Sequence, residues 1–271
     1  MLQRSFTAVY KYQLNKLKFL PFAILAAIIV MTVVEALIIY YMDGAVSVSD
    51  LIMSGYDSLA GGAIFGIVIA YGTDFYNIAC ANGSSRRTTV FAAFCSMITM
   101  GAVMSLMLTL LTEICGILMI EAEWTVAAFY GFEDIWLSDG GTIAGYILQR
   151  FLVGTFSIAA AGMAGFAIAS LFYRLPRTVK IVLFIGVFMF GPAGFGIIVG
   201  YLEEAGYDVM KFIATVVFTV LKIFGCYVDD SFTGNMLQGS AMFLLLCVVL
   251  AALSWLFAFR ATAKPIEIRS E

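Results

Sequence analysis

Six continuous apolar stretches set the pattern of this chain, at about 19–42, 58–81, 89–120, 142–173, 181–202 and 235–259. Each exceeds the roughly 20 residues that a helix needs to cross a hydrocarbon core. They are unbroken rather than alternating and far longer than a barrel strand of about 10 residues, so strands are excluded. The pattern predicts an all-α polytopic membrane protein with six transmembrane helices. Residues 89–120 and 142–173 are too long for one perpendicular crossing: about 32 residues rise about 48 Å against a core of about 30 Å. These two helices are expected to tilt, or to project and frame the acidic connection 121–141. That connection carries Trp124, Phe129, Tyr130, Phe132 and Trp136, as an interfacial cap would.

Two shorter features complete the layout. Leu2, Phe6, Tyr10, Leu14 and Leu17 recur at steps of three and four, with Arg4, Lys11 and Lys18 off the stripe. Residues 1–18 are therefore expected to form an amphipathic helix on the cytoplasmic interface, where basic residues gain from anionic membrane lipids. Residues 212–224 are apolar but too short to cross, the length of a re-entrant or interfacial helix. The run 19–42 is too long for a signal-peptide core and is expected to stay in the membrane. Residues 19–259 then form one transmembrane domain, and 260–271 a cytoplasmic tail.

Charge orients the spans. Arg4, Lys11, Lys16, Lys18, Arg86, Arg87, Arg174, Arg177, Lys180, Arg260, Lys264 and Arg269 all fall on alternate connections, which the positive-inside rule makes cytoplasmic. The other connections are acidic, from Asp43, Asp50 and Asp57 to Glu203, Glu204, Asp208, Asp229 and Asp230; only Lys211 and Lys222 depart from this. Both chain ends are thus expected in the cytoplasm.

Composition narrows the chemistry. Hydrophobic residues make up 62% and charged residues 12%, about half the charged share of a soluble domain. Histidine is absent, which removes Ser-His nucleophiles and His-bound zinc. The five cysteines show no CxxC pairing and read as small core residues. No metal site and no nucleic-acid partner are expected.

The most informative polar stretch is Tyr71–Thr89 (YGTDFYNIACANGSSRRTT). A helix carrying Asp74 and Tyr76 should end at the Asn82-Gly83 turn, with Ser84 or Ser85 capping the next helix. Arg86 and Arg87 follow as a paired positive charge. The run NGSSRRTTVF resembles the N-G-x-S-R segment of permease subunits of type-2 ABC transporters. The layout is similar too: an amphipathic N-terminal helix, six spans, and an apolar insertion before the last. That resemblance implies a short coupling helix that docks on an ATP-binding cassette ATPase through Asp74, Tyr76, Asn82, Gly83, Ser84, Ser85, Arg86 and Arg87. It also implies a second permease copy, as a homodimer. The chain has no G-x-x-x-x-G-K-[ST] loop of its own, so it is not expected to be an enzyme. ATP and magnesium would belong to the partner.

Within the spans, ionisable and flexible residues suggest a pathway. Glu35, Glu113 and Arg150 each lie seven or eight residues from the external ends and could meet at one height, either as a gate or, for Glu113 and Arg150, as a structural ion pair. GxxxG spacings at Gly62/Gly66, Gly141/Gly145 and Gly196/Gly200 suit close helix packing. Gly191-Pro192 can kink the fifth span, making Gly191, Pro192, Gly196 and Gly200 candidates for gating.

The resemblance implies an exporter of amphipathic or hydrophobic cargo, such as antimicrobial or toxin peptides, in a bacterial plasma membrane. The alternatives are a substrate-capturing importer subunit and a secondary transporter. All of them rest on sidedness. In a variant whose five native cysteines are replaced, a cysteine at position 85 should react with an impermeant maleimide only once the membrane is opened; labelling of intact cells would reverse the topology.

Overall fold

The structure, a computed structural model, describes residues 2–43, 56–117, 143–176, 179, 209–224 and 236–259. Among them the chain is helical throughout: α1 (Leu2–Leu17), α2 (Leu20–Asp43), α3 (Tyr56–Ala81), α4 (Arg86–Ile117), α5 (Ile143–Arg174), α6 (Val209–Ile223) and α7 (Met236–Phe259). Five stretches are long and apolar enough to cross a membrane: Phe6–Val30, Leu59–Ala81, Arg86–Leu111, Ala144–Tyr173 and Met236–Ala258. Four of these fall on expected spans; the first, Phe6–Val30, instead covers most of α1 and only the first half of the expected run 19–42, which as a whole forms the helix α2. The remaining expected span, 181–202, lies outside the described residues, as do the connection 121–141 and the tail.

α5 is the hub, packing on α3, α4 and α7. Its contact faces are built from small residues. Gly165 sits so close to α3 that a Cβ there would lie 2.5 Å from the Phe65 carbonyl oxygen. On α4, a Cβ at Gly101 would strike the Thr155 carbonyl of α5, and one at Gly72 of α3 would strike Ala169. Small residues let helix backbones approach in this way, and dispersion contacts then replace those with lipid. Ser105 donates to the Phe151 carbonyl at 2.9 Å across the same seam. Gly62 and Gly66, by contrast, are exposed and a Cβ on either meets nothing within 4 Å. Their GxxxG spacing makes no packing contact among the described residues.

Contact pairs give the helix directions. Gly101 faces Thr155 and Gly154 faces Ser105, so α4 and α5 are antiparallel. Gly61 faces Ala161, Gly165 faces Phe65 and Gly72 faces Ala169, so α3 and α5 are parallel. Arg86 reaches Ala258 and Arg87 reaches Trp255, while Val90 and Phe94 share a groove with Val248 and Ala251, so α7 is antiparallel to α4. Hence α3, α5 and α7 point one way and α4 the other.

α1 departs from its expected placement. It does not lie across the helix ends as an interfacial helix would. Val9 packs with Ala79 and Ala92, Tyr12 with Phe75, and the Lys16 ammonium lies 5.8 Å from the Tyr71 ring centre. Stepping from residue 9 to 16 on α1 thus steps from 79 back to 71 on α3, so α1 runs along its neighbours, antiparallel to α3 and parallel to α4. The buried line is Val9, Gln13 and Leu17, continued by Leu20, Ile24 and Ile28 on α2, not the Phe6–Tyr10–Leu14 line, whose members are half-buried. Hydrogen bonds explain this shift. Gln13 turns inward because its amide oxygen accepts from Ser96 at 3.0 Å, and the Tyr10 hydroxyl meets Thr99 at 2.8 Å. The break after Leu17 follows from Pro21, which has no N–H for the Leu17 carbonyl.

Gly101→Val should overpack the α4–α5 seam and lower stability by about 1–3 kcal/mol, whereas Gly66→Ala should be neutral or stabilising by up to about 1 kcal/mol. Unfolding in mixed detergent micelles separates the two; equal effects would mean that the seam is not as close as described.

Candidate functional site at the α3–α4 turn

The Asn82–Ser85 turn is defined residue by residue. Gly83 adopts φ +69°, the left-handed conformation that costs other residues about 1–2 kcal/mol. The Gly83 N–H bonds the Cys80 carbonyl at 3.0 Å and the Ser84 N–H bonds the Ala79 carbonyl at 2.9 Å. This 5→2 and 6→1 pair is a Schellman closure of α3. The Asn82 side chain adds a bond to the Ile78 carbonyl at 2.8 Å. Ser85 then caps α4: its Oγ accepts from the Thr88 N–H at 3.1 Å, and its carbonyl takes the Thr89 N–H at 3.0 Å. Of the two serines considered as caps, Ser85 performs the role. Ser84 is buried, and its Oγ has no hydrogen-bond partner.

No separate coupling helix intervenes. α3 runs unbroken to Ala81 and α4 starts at Arg86, because the two caps use every residue between them. The exposed surface is the tip itself, Ala81, Asn82, Gly83 and Ser85, with Asp74 exposed further up α3.

Tyr76 is not on that surface. It is 1% exposed and faces α5, stacked on Phe166 at 5.2 Å and tilted against Tyr173 at 5.5 Å. Its hydroxyl lies 2.8 Å from the Ser170 Oγ, which itself donates to the Phe166 carbonyl at 2.7 Å. The one Ser170 proton is thereby committed, so Tyr76 donates. Tyr76 ties the turn to α5 rather than offering itself to another protein.

The two arginines divide their work. Arg86 Nη1 donates to the Ala258 carbonyl at 2.8 Å, one of the carbonyls left open at the end of α7. A cation there also favours the helix dipole. Arg87 is exposed, with its guanidinium 5.2 Å from the Trp255 ring centre. Such stacking stabilises by about 0.5–1 kcal/mol at exposed sites. Beside it opens a groove of about 570 Å³ lined by Arg87, Val90, Phe91, Phe94, Val248, Ala251 and Trp255. Nothing in the sequence pattern pointed to this groove, because its two walls lie some 160 residues apart.

The other candidates are placed as follows. Glu35 and Glu113 lie on α2 and α4, but their side chains are outside the described residues, as are Gly191, Pro192, Gly196 and Gly200. Arg150 is half-buried on α5. The register set by Gly101–Thr155 and Ser105–Phe151 puts Arg150 level with about residue 108. Glu113 is then about 7 Å further along the axis, so these two backbones are not at one height. Cys80, Cys95 and Cys247 are free thiols.

Comparison of the chain with known protein families, with curated proteins and with solved structures finds no match.

Gly83→Ala should cost about 1–2 kcal/mol through its backbone conformation and Ser85→Ala about 1 kcal/mol through the lost cap. Asn82→Ala should cost less than either, since its bond is solvent-exposed and α3 stays closed without it. Denaturation midpoints of the three variants test this ranking, and an Asn82→Ala loss larger than that of Gly83→Ala would refute it.

Proposed function

We propose that this chain is the membrane-spanning subunit of an ATP-driven exporter of the type-2 ABC class. The observation that carries the reading is the α3–α4 turn: exposed at its tip, closed by caps on both sides, and joined to the central helix through Tyr76. A partner that pushes on such a turn moves a rigid lever rather than a loop. The NGSSRR residues that carry the family resemblance are those that build this turn.

Helix directions support a six-span topology with both ends on one side. α5 and α7 are parallel, so the chain between them must make one net return across the bundle. The apolar run 181–202 is long enough, at about 33 Å, for a core of about 30 Å. α6, with 15 residues, reaches only about 22 Å and falls short.

One membrane boundary is suggested by where charges begin. α5 is apolar up to Tyr173 and continues with Arg174; α7 is apolar up to Phe259 and continues with Arg260. Tyr173 touches Tyr76, and Ala258 touches Arg86, so these ends and the arginine pair share one level. Measured from it, Glu113 lies about 40 Å along α4 and Arg150 about 34 Å along α5. Both exceed the core thickness of about 30 Å. That favours their acting at the far interface, framing an exit, over a mid-membrane gate.

In this reading two copies line the pathway, each gripped at its turn by an ATPase subunit carrying ATP and magnesium. ATP-driven closure of the ATPases pushes the turns, α3 and α5 move together through their close contacts, and cargo leaves between the copies. Amphipathic or hydrophobic peptides suit an apolar, weakly charged interior. The bacterial plasma membrane is the expected location.

A photoreactive residue placed at Asn82 should crosslink to a co-purifying ATP-hydrolysing subunit, whereas one at Leu245, exposed mid-way along α7, should not. Failure of the full chain to capture any ATPase, or capture with no adduct at Asn82, would sink the proposal.

A further inference from the structure

The groove between α4 and α7 joins a cation to an apolar trench. At one end stands Arg87, exposed and lying over Trp255. From there the walls are apolar, with Phe91 and Phe94 on one side and Val248 and Ala251 on the other. The two arginines of this turn are not equivalent. Arg86 is committed to the Ala258 carbonyl, which closes the end of α7 against α4. The Arg87 guanidinium makes no hydrogen bond among the described residues, and a planar fork of five donors is therefore open to an anion.

We propose that this groove binds one anionic phospholipid, its phosphate on Arg87 and an acyl chain laid between α4 and α7. Depth agrees with this. Arg87 to Phe94 is seven residues, about 10 Å of helix rise, against about 15 Å for the hydrocarbon half of one leaflet. The charged end lies where Arg174 and Arg260 begin, at headgroup level, and Trp255 is the residue type that anchors there. Charge selects this occupant over a second copy of the chain and over α6. A second copy docking at this height would bring its own arginines to face Arg87. α6, the exposed apolar helix, carries Lys211 and Lys222 as its only charged residues and offers no anion either. An anionic headgroup satisfies Arg87, and its acyl chain satisfies the trench. The site needs only a membrane–water boundary at this end of the bundle and is independent of what drives transport.

The test uses Trp255 itself. Trp124→Phe and Trp136→Phe leave it as the sole tryptophan of the full chain, since there are three in all. In phosphatidylcholine vesicles, quenching by acyl-labelled phosphatidylglycerol should reach half-maximum at about a fivefold lower mole fraction than quenching by acyl-labelled phosphatidylcholine. Arg87→Gln should bring the two curves together. Arg87→Lys should keep most of the separation, since an ammonium binds phosphate as a point charge. Ala251→Phe should fill the trench and weaken quenching by both lipids. Coincident curves in the chain with Arg87 intact would overturn the proposal without reference to any variant. So would a preference that survives Arg87→Gln with helicity unchanged, or a Trp255 that neither lipid quenches, which would mean that protein covers the groove.

Discussion

At Gly101 and Gly165 one helix backbone meets another with no side chain between them, and at Gly72 only the Ala169 methyl intervenes. In hydrocarbon there is no gain from hiding apolar surface, because the lipid is as apolar as the protein. What holds α3, α4 and α5 together is contact density, and only residues without bulk allow it. α5 supplies Gly154, Gly162, Gly165, Ala159, Ala160 and Ala169 to these faces. Bulky side chains elsewhere on the helices are turned outward: Leu106 and Leu110 on α4, Leu245 and Val249 on α7 are exposed. The core thus combines small residues at the closest helix contacts with large ones such as Phe166, Met163, Met97 and Tyr76 filling the space around them.

That close packing decides what the α3–α4 turn can do. A turn at the end of two loosely packed helices would yield to a push. Here α3 is fixed to α5 by Tyr76, Phe166 and Ser170, while Arg86 fixes the start of α4 to the end of α7. Four helices therefore meet at one end of the bundle through a handful of specific bonds. Each bond satisfies a backbone or hydroxyl group that water would otherwise have to reach. Gly83 and Ser85 complete the arrangement by closing α3 and opening α4 within four residues.

The Arg86–Arg87 pair illustrates how neighbours in sequence separate in role. Successive residues on a helix point about 100° apart. One of them therefore faces the end of α7, and the other faces outward over Trp255. A charged pair that looks like a single docking patch becomes one structural cap and one open cation above an apolar groove.

Much of the helical layout was legible in the residues, because a continuous apolar run longer than about 20 residues has one stable form in hydrocarbon. α2, α3, α5 and α7 begin and end within two residues of the apolar runs 19–42, 58–81, 142–173 and 235–259. The Asn82-Gly83 turn and a serine cap were legible too, since the left-handed residue and the capping oxygen are local requirements. Partnership was not. Whether Gly62 or Gly165 makes a close contact, whether Tyr76 faces a neighbour or the solvent, and whether α1 lies across the bundle or along it depend on the rotation and register of one helix against another. Spacing within a single helix is the same in either case. Only the tertiary structure, by choosing which face meets which, left Gly62 without a close contact among the described residues, buried Tyr76, turned Gln13 inward and opened the groove beside Arg87.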